Sequence, residues 1–210
     1  YTTGGSRQYD LRCKFNVVQN ALFGGLNQNK TAILQIYGDQ GKYRIWFGDN
    51  VAHDYFTPEV NNDTYYDLRI VLYDGDQRAY VKKATENEYV LMASASVPKI
   101  PQGLHLALLG RFQEDAPQLT CNGGYFNHYQ ETDLETGKVL HELVPVRYGE
   151  NDAKLGIYDI AQGQLCDCVS GTLASSLVVL QELNGYGEVT DISSLCRMPE
   201  IKQGLIFIAR

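Results

Sequence analysis

Three carboxylates stand two residues apart in Glu131-Thr132-Asp133-Leu134-Glu135. On a strand, every second side chain points to the same face. Two carboxyl groups held about 5.5 Å apart are what retaining glycoside hydrolysis needs, one as nucleophile and one as acid. Against that chemistry, Glu135-Thr136-Gly137-Lys138 reads as a hairpin turn, which puts Glu135 at a tip instead of on a cleft floor. The triplet is therefore expected on a solvated turn, and no catalytic residue is assigned.

The other reactive side chains form no recognisable set. Five cysteines, at 13, 121, 166, 168 and 196, are an odd number spread along the chain, unlike a disulfide framework, although one or two bridges stay open. Cys166-Asp167-Cys168 has one intervening residue, whereas zinc sites use C-x2-C pairs with two further ligands. Small residues on a strand are the expectation there, and no metal site is assigned. His53, His105, His128 and His141 lack an H-x-x-x-H spacing, and His105 and His141 sit in apolar runs, as core histidines do. Neither G-x-S-x-G nor the nucleotide-binding fingerprints occur, so acyl, nucleotide and hydride transfer lose their usual signatures together.

Aromatic residues offer a different chemistry. Tyr43, Trp46, Tyr55, Phe56, Tyr65 and Tyr66 fall near loops or sheet faces, where rings stack on sugars or pack in a core. Asp49, Asn50, Asn61, Asn62 and Asp63 supply oxygens for a sugar or a calcium ion, or else turn chemistry. The ligand itself is not named by these residues.

The elements that must carry these groups read as strands. Tyr9, Leu11, Cys13 and Phe15 alternate with Asp10, Arg12 and Lys14, a period of two with Cys13 on the buried side. Ala32–Tyr37 and Tyr43–Phe47 make a hairpin around Gly38-Asp39-Gln40-Gly41, and Asp67–Tyr73 turns through Asp74-Gly75 into Arg78–Val81. Tyr89–Ser96 ends before Pro98 and Pro101; His105–Gly110 and Gly124–Thr132 lead to a closing meander of Val139–Val146, Lys154–Asp159 and Gln164–Val169. The one helical candidate is short, Ser170–Leu177. About a dozen strands at spacings of roughly 8–12 residues point to an all-β sandwich or barrel.

Composition bounds the partners. The 210 residues carry 44% hydrophobic side chains and a net charge of −7, enough for a full core and without the basic stripe that phosphate contacts require, so no nucleic-acid partner is expected. No apolar stretch reaches the roughly 18 residues of a membrane span. A start at Tyr1 without Met or an apolar leader reads as a processed or trimmed piece.

The meander also carries a resemblance. Leu143-Val144-Pro145-x-Arg147, then Gly156-Ile157-Tyr158-Asp159, then Gln162-Gly163 resemble the closing segment of laminin-G-like, concanavalin A-like jelly-roll domains of phage and gut-bacterial surface proteins. Gly41–Asp49 resembles the early hairpin of that family and Tyr1-Thr2-Thr3-Gly4 the end of its first strand. The implied fold is an antiparallel jelly-roll sandwich over residues 1–173, with Leu143, Val144, Ile157 and Tyr158 buried. Residues 174–210 lie beyond it as a β-rich extension, expected to pack on the sandwich or on a neighbouring copy. The resemblance implies a non-enzymatic structural or adhesion module of a virion or bacterial surface protein, located on the virion, outside the cell or at its surface. A glycan, further copies of the chain or other surface proteins are its implied partners, with calcium as the one cofactor left open. The alternative is a glycan-cleaving glycoside hydrolase on the same sandwich, because E-x-D-x-E resembles family-16 enzymes in its spacing.

Overall fold

The computed structural model describes residues 5–15, 20–26, 33–39, 42–47, 51–56, 64–73, 75–96, 107–108, 110–113, 116–120, 124–148 and 154–166. All regular structure in them is strand. The chain divides into two compact units, Tyr1–Glu142 and Leu143–Arg210.

The first unit holds two sheets. One has the order β12-β1-β6-β7-β8, built from β1 (Arg7–Phe15), β6 (Tyr66–Tyr73), β7 (Asp76–Lys83), β8 (Val90–Ala95) and β12 (Gly124–Asp133). Its neighbours are antiparallel throughout: Tyr9 stands opposite Ile70 on one side and Glu131 on the other. The second has the order β11-β10-β2-β3-β4-β5, from β2 (Asn20–Leu26), β3 (Ile33–Asp39), β4 (Lys42–Trp46), β5 (Ala52–Phe56), β10 (Gly110–Gln113) and β11 (Ala116–Thr120). A two-residue strand, β9 (Ala107–Leu108), lies beside β2.

Period-two patterning sorts the faces. In β4, Tyr43 and Ile45 are buried while Lys42, Arg44 and Trp46 are half-buried; in β6, Leu68, Ile70 and Leu72 have no exposed surface. Each such side chain contributes about 1.5–3 kcal/mol by leaving water. The two inner faces meet through rings. Tyr9 of β1 packs on Phe23 of β2 at 5.4 Å, Phe23 on Tyr129 of β12 at 5.9 Å, and Tyr43 of β4 on Tyr66 of β6 at 5.6 Å. Cys13 lies in this core, as its alternation predicts.

Tight turns follow their glycines. Tyr73 faces Asp76 across the β6–β7 hairpin, and Gly75 takes φ +80°, the left-handed conformation that two-residue hairpin loops demand. The β12 hairpin closes with Gly137 at φ +70° and the Gly137 N–H donating to the Asp133 carbonyl at 2.8 Å.

In the second unit, the strand that begins at Val139 continues to Tyr148 (β13, Val139–Tyr148) and pairs with β14 (Lys154–Asp159), which pairs with β15 (Gln164–Cys166). This is the expected antiparallel meander. Leu143 is buried, but Val144, Ile157 and Tyr158 are only half-buried. The reason is register. Val144 stands opposite Tyr158, while Leu143 stands opposite the fully buried Asp159, so the alternation sends one pair inward and leaves the other on the second face.

One strand pair departs from the antiparallel pattern. β10 runs parallel to β2, with Phe112 opposite Gly25. Their connection spans most of the first unit, so nothing forces the hairpin geometry that adjacent strands impose. The segment read as one strand, 105–110, is divided between β9 and β10. Ser170–Leu177, Pro98, Pro101, Tyr1–Gly4 and the extension 174–210 lie outside the described residues.

Candidate functional site

The carboxylate triplet is divided by its own hairpin. Glu131 sits on the inner face of β12, only 3% exposed, because it shares that face with Tyr129 and stands opposite Tyr9. The Tyr129 hydroxyl donates to Glu131 Oε2 at 3.2 Å, and Arg7 Nε lies 3.4 Å from Oε1. Burial pushes the Glu131 carboxyl above its ordinary range, while half-buried His141, Tyr129 and Arg7 pull it back. Burial likewise holds the Tyr9 phenol far above its usual value.

Asp133 does different work two residues on. Its Oδ1 accepts from the backbone N–H groups of Glu135 and Thr136 at 3.0 and 2.9 Å and from the Thr136 hydroxyl at 2.9 Å. These bonds to Thr136 and Glu135 hold its carboxyl below the usual carboxylate range. Its Oδ2 accepts from Arg7 Nη1 at 2.7 Å. Arg7 thus spans both carboxylates from the start of β1. Glu135 stands exposed on the turn, as Glu135-Thr136-Gly137-Lys138 predicts. One carboxylate in the core, one capping a turn and one in solvent do not line a common groove.

The predicted aromatic set also separates. Tyr43, Tyr65 and Tyr66 are 0, 3 and 4% exposed, so these rings are core and present no stacking face to a ligand. Their positions on inner faces follow from alternation with Arg44 and from packing between the sheets. Trp46 is half-buried on the opposite face of β4, with the Arg44 guanidinium 5.8 Å from its ring centre. Tyr55 and Phe56 belong to β5, opposite Tyr43 and Lys42. Asp49, Asn50, Asn61, Asn62, Asp63 and His105 lie outside the described residues, as do Cys121, Cys168 and Cys196. Cys166 ends β15. His53 packs on Phe47 at 5.5 Å, and His128 pairs with Glu142 at 3.2 Å. Among the described residues, no group of three His, Cys, Asp or Glu side chains is placed to hold a metal ion.

Sequence reasoning missed the outer face of the β12-β1-β6-β7-β8 sheet. Arg12 grips Asp67 with two bonds of 2.6 and 2.9 Å, Lys82 joins the same carboxylate at 3.1 Å, and Arg69 bonds Asp10 at 2.6 Å. Burial raises Asp67, but Arg12 and Lys82 outweigh it and hold the carboxyl below its usual range. Tyr89 lies over this ladder, 4.6 Å from Arg69 and 5.3 Å from Lys82; burial pushes its phenol up to about 12. The signal was present as opposite charges alternating along β1 and β6, at Asp10 and Arg12 and at Asp67 and Arg69. Only the strand register places them opposite one another.

No family model and no curated protein matches the chain. Solved structures are similar to it. The mouse laminin alpha1 chain, domains LG4-5, aligns at a TM-score of 0.43 and 11% identity, over 65% of this chain and 38% of that one. A functionally unknown protein from Saccharomyces cerevisiae aligns at 0.42 and 14%, over 63% of this chain and 72% of that one. The chain spans well under half of the laminin fragment, and likeness at this identity concerns the fold.

Proposed function

We propose that this sandwich is a non-enzymatic structural or adhesion module of a virion fibre, a decoration protein or a bacterial surface protein, and that it contacts a glycan. The observation supporting it is the fate of the E-x-D-x-E triplet. Glu131 is engaged by Arg7 and Tyr129 inside the core, and Asp133 is engaged by its own turn. Retaining chemistry needs two carboxyl groups flanking one bond, and this placement leaves the triplet without such a pair. The virion or surface setting is taken from the motif resemblance of residues 143–163, and so are further copies or other surface proteins as partners.

Two measurements test this reading together. The purified domain is incubated on a glycan array, and the retained glycans are then followed by chromatography for chain shortening. Retention without shortening, unchanged in Glu131→Gln and Glu135→Gln, is the expected result. Shortening by the wild type that disappears in both variants would establish the glycoside hydrolase instead, and an array that retains nothing would remove the glycan from the proposal.

A further inference from the structure

Resting on the glycan reading, the geometry points to a saccharide seat on the outer face of the β12-β1-β6-β7-β8 sheet, in a shallow depression between β7 and β8. Its volume is about 310 Å³, at the small end of the roughly 300–1,000 Å³ of ligand sites and suited to one or two sugar rings. The depression lies on the outer face, because Asp76 and Arg78 alternate with the inward Gln77 and Ala79. Ser94 stands opposite Arg78, and Leu91 opposite Tyr80.

Three features make this more than a dent in a charged surface. The first is a donor held in place. Arg78 Nε donates to Asp76 Oδ1 at 2.9 Å, and Nη2 lies 2.8 Å from Oδ2. This two-point grip, with Tyr80 on the same strand as a second side-chain partner, orients an exposed guanidinium whose remaining N–H groups can meet a sugar hydroxyl. The second is apolar: Leu91 is 50% exposed and lines the same depression, giving the C–H face of a pyranose a surface to leave water against. The third is local polarity: Ser94 is exposed on the same face, and Ser96 at the rim donates to the Gly75 carbonyl at 3.2 Å.

The bulge in β8 explains why these groups converge. Ala79 pairs with Ala93 and Tyr80 with Leu91, so Met92 is the additional residue. Leu91 and Ser94 both remain on the outer face while Met92 and Ala93 turn inward. With the chain at a net charge of −7, a neutral hexopyranose is the fitting ligand, and a polyanionic glycan is not.

The test uses the whole chain and an array of neutral and acidic oligosaccharides, followed by titration of the best neutral binder. Arg78→Ala, Arg78→Lys and Leu91→Ser should each weaken that binder about tenfold, a loss that corresponds to one hydrogen bond or one apolar contact. Arg78→Lys separates the two-point fork from charge alone. Arg12→Ala on the same outer face, outside the depression, should leave binding unchanged. All of these residues are exposed or half-exposed, and thermal melting checks that each variant is folded. Retention of a neutral glycan with wild-type affinity in the three depression variants would overturn the seat and leave the glycan reading standing. Exclusive retention of acidic glycans would also overturn the seat, and retention of no glycan would overturn both.

Discussion

Replacing Tyr9 by Phe should make this protein more stable. Tyr9 has no exposed surface, and its hydroxyl has no hydrogen-bond partner among the described residues. A buried, unsatisfied polar group costs about 1–3 kcal/mol. The ring itself is held by Phe23 at 5.4 Å and Tyr129 at 6.5 Å, and Phe keeps those contacts. Removing one oxygen leaves a gap smaller than a methyl group, which offsets part of the gain, so a net stabilisation of about 1–2 kcal/mol is expected. For a chain of this length each kcal/mol moves the midpoint by about 2–4 °C. Urea unfolding and calorimetry on both proteins measure it, with the urea slope unchanged. A Phe variant destabilised by 1 kcal/mol or more would show that the hydroxyl is satisfied, for example by an internal water shared with Glu131, and would refute the reasoning.

Glu131 supplies a pH prediction. Its folded carboxyl is raised by burial, so between the unfolded value, about 4.3, and the raised folded value the native state holds the extra proton. Stability from this group therefore grows as pH falls through that window and shrinks as pH rises; Glu131→Gln should flatten that slope in melts between pH 4 and 7. Asp67 is shifted the other way, and its contribution is lost only below the unfolded value of about 3.9, which separates the two in a titration. Gly137→Ala meets no atom within 4 Å but must keep φ +70°, so denaturant midpoints should report a loss of about 1–2 kcal/mol from backbone strain alone. Deleting residues 174–210, whose apolar runs at 177–180 and 205–208 need cover, should lower the melting temperature or the oligomeric mass in size-exclusion chromatography.

Much of the strand framework was legible because alternation reports directly on faces. The Tyr9–Phe15 strand, the β6–β7 hairpin at Gly75 and the β13–β15 meander all stand where the letters put them. Non-local pairing was not legible. Nothing in Phe23-Gly24-Gly25 shows that these residues run through a strand with a bulge and not to its end, or that Gly25 faces Phe112 in parallel. The site suffered from the same limit. Tyr43 alternates with Lys42 and Arg44, so its burial could have been read, but Tyr65-Tyr66-Asp67-Leu68 is buried at four successive positions and no period reveals that. Glu131 reads as a turn carboxylate until the register sets it beside Tyr9. The depression at β8 depends on a bulge, which a single sequence does not announce.

β1 lies in the middle of its sheet, hydrogen-bonded to β6 on one side and β12 on the other, and Arg7 reaches Asp133 across 126 positions of chain. During synthesis the first of these neighbours is made early and the second late. At roughly 5–20 residues per second, about 6–25 s separate the appearance of Arg7 from that of Asp133. From the completion of β6 at Tyr73 until β12 is made, the β1–β6 pair presents an open backbone edge on the β12 side of β1, a template for any extended segment nearby. A chain truncated before Gly124 therefore keeps that edge of β1 unpaired and is primed to pair with another copy of itself. Slow codons or chaperone contacts between residues 73 and 124 would lengthen that exposure, and the yield of soluble protein should fall as translation through that stretch slows.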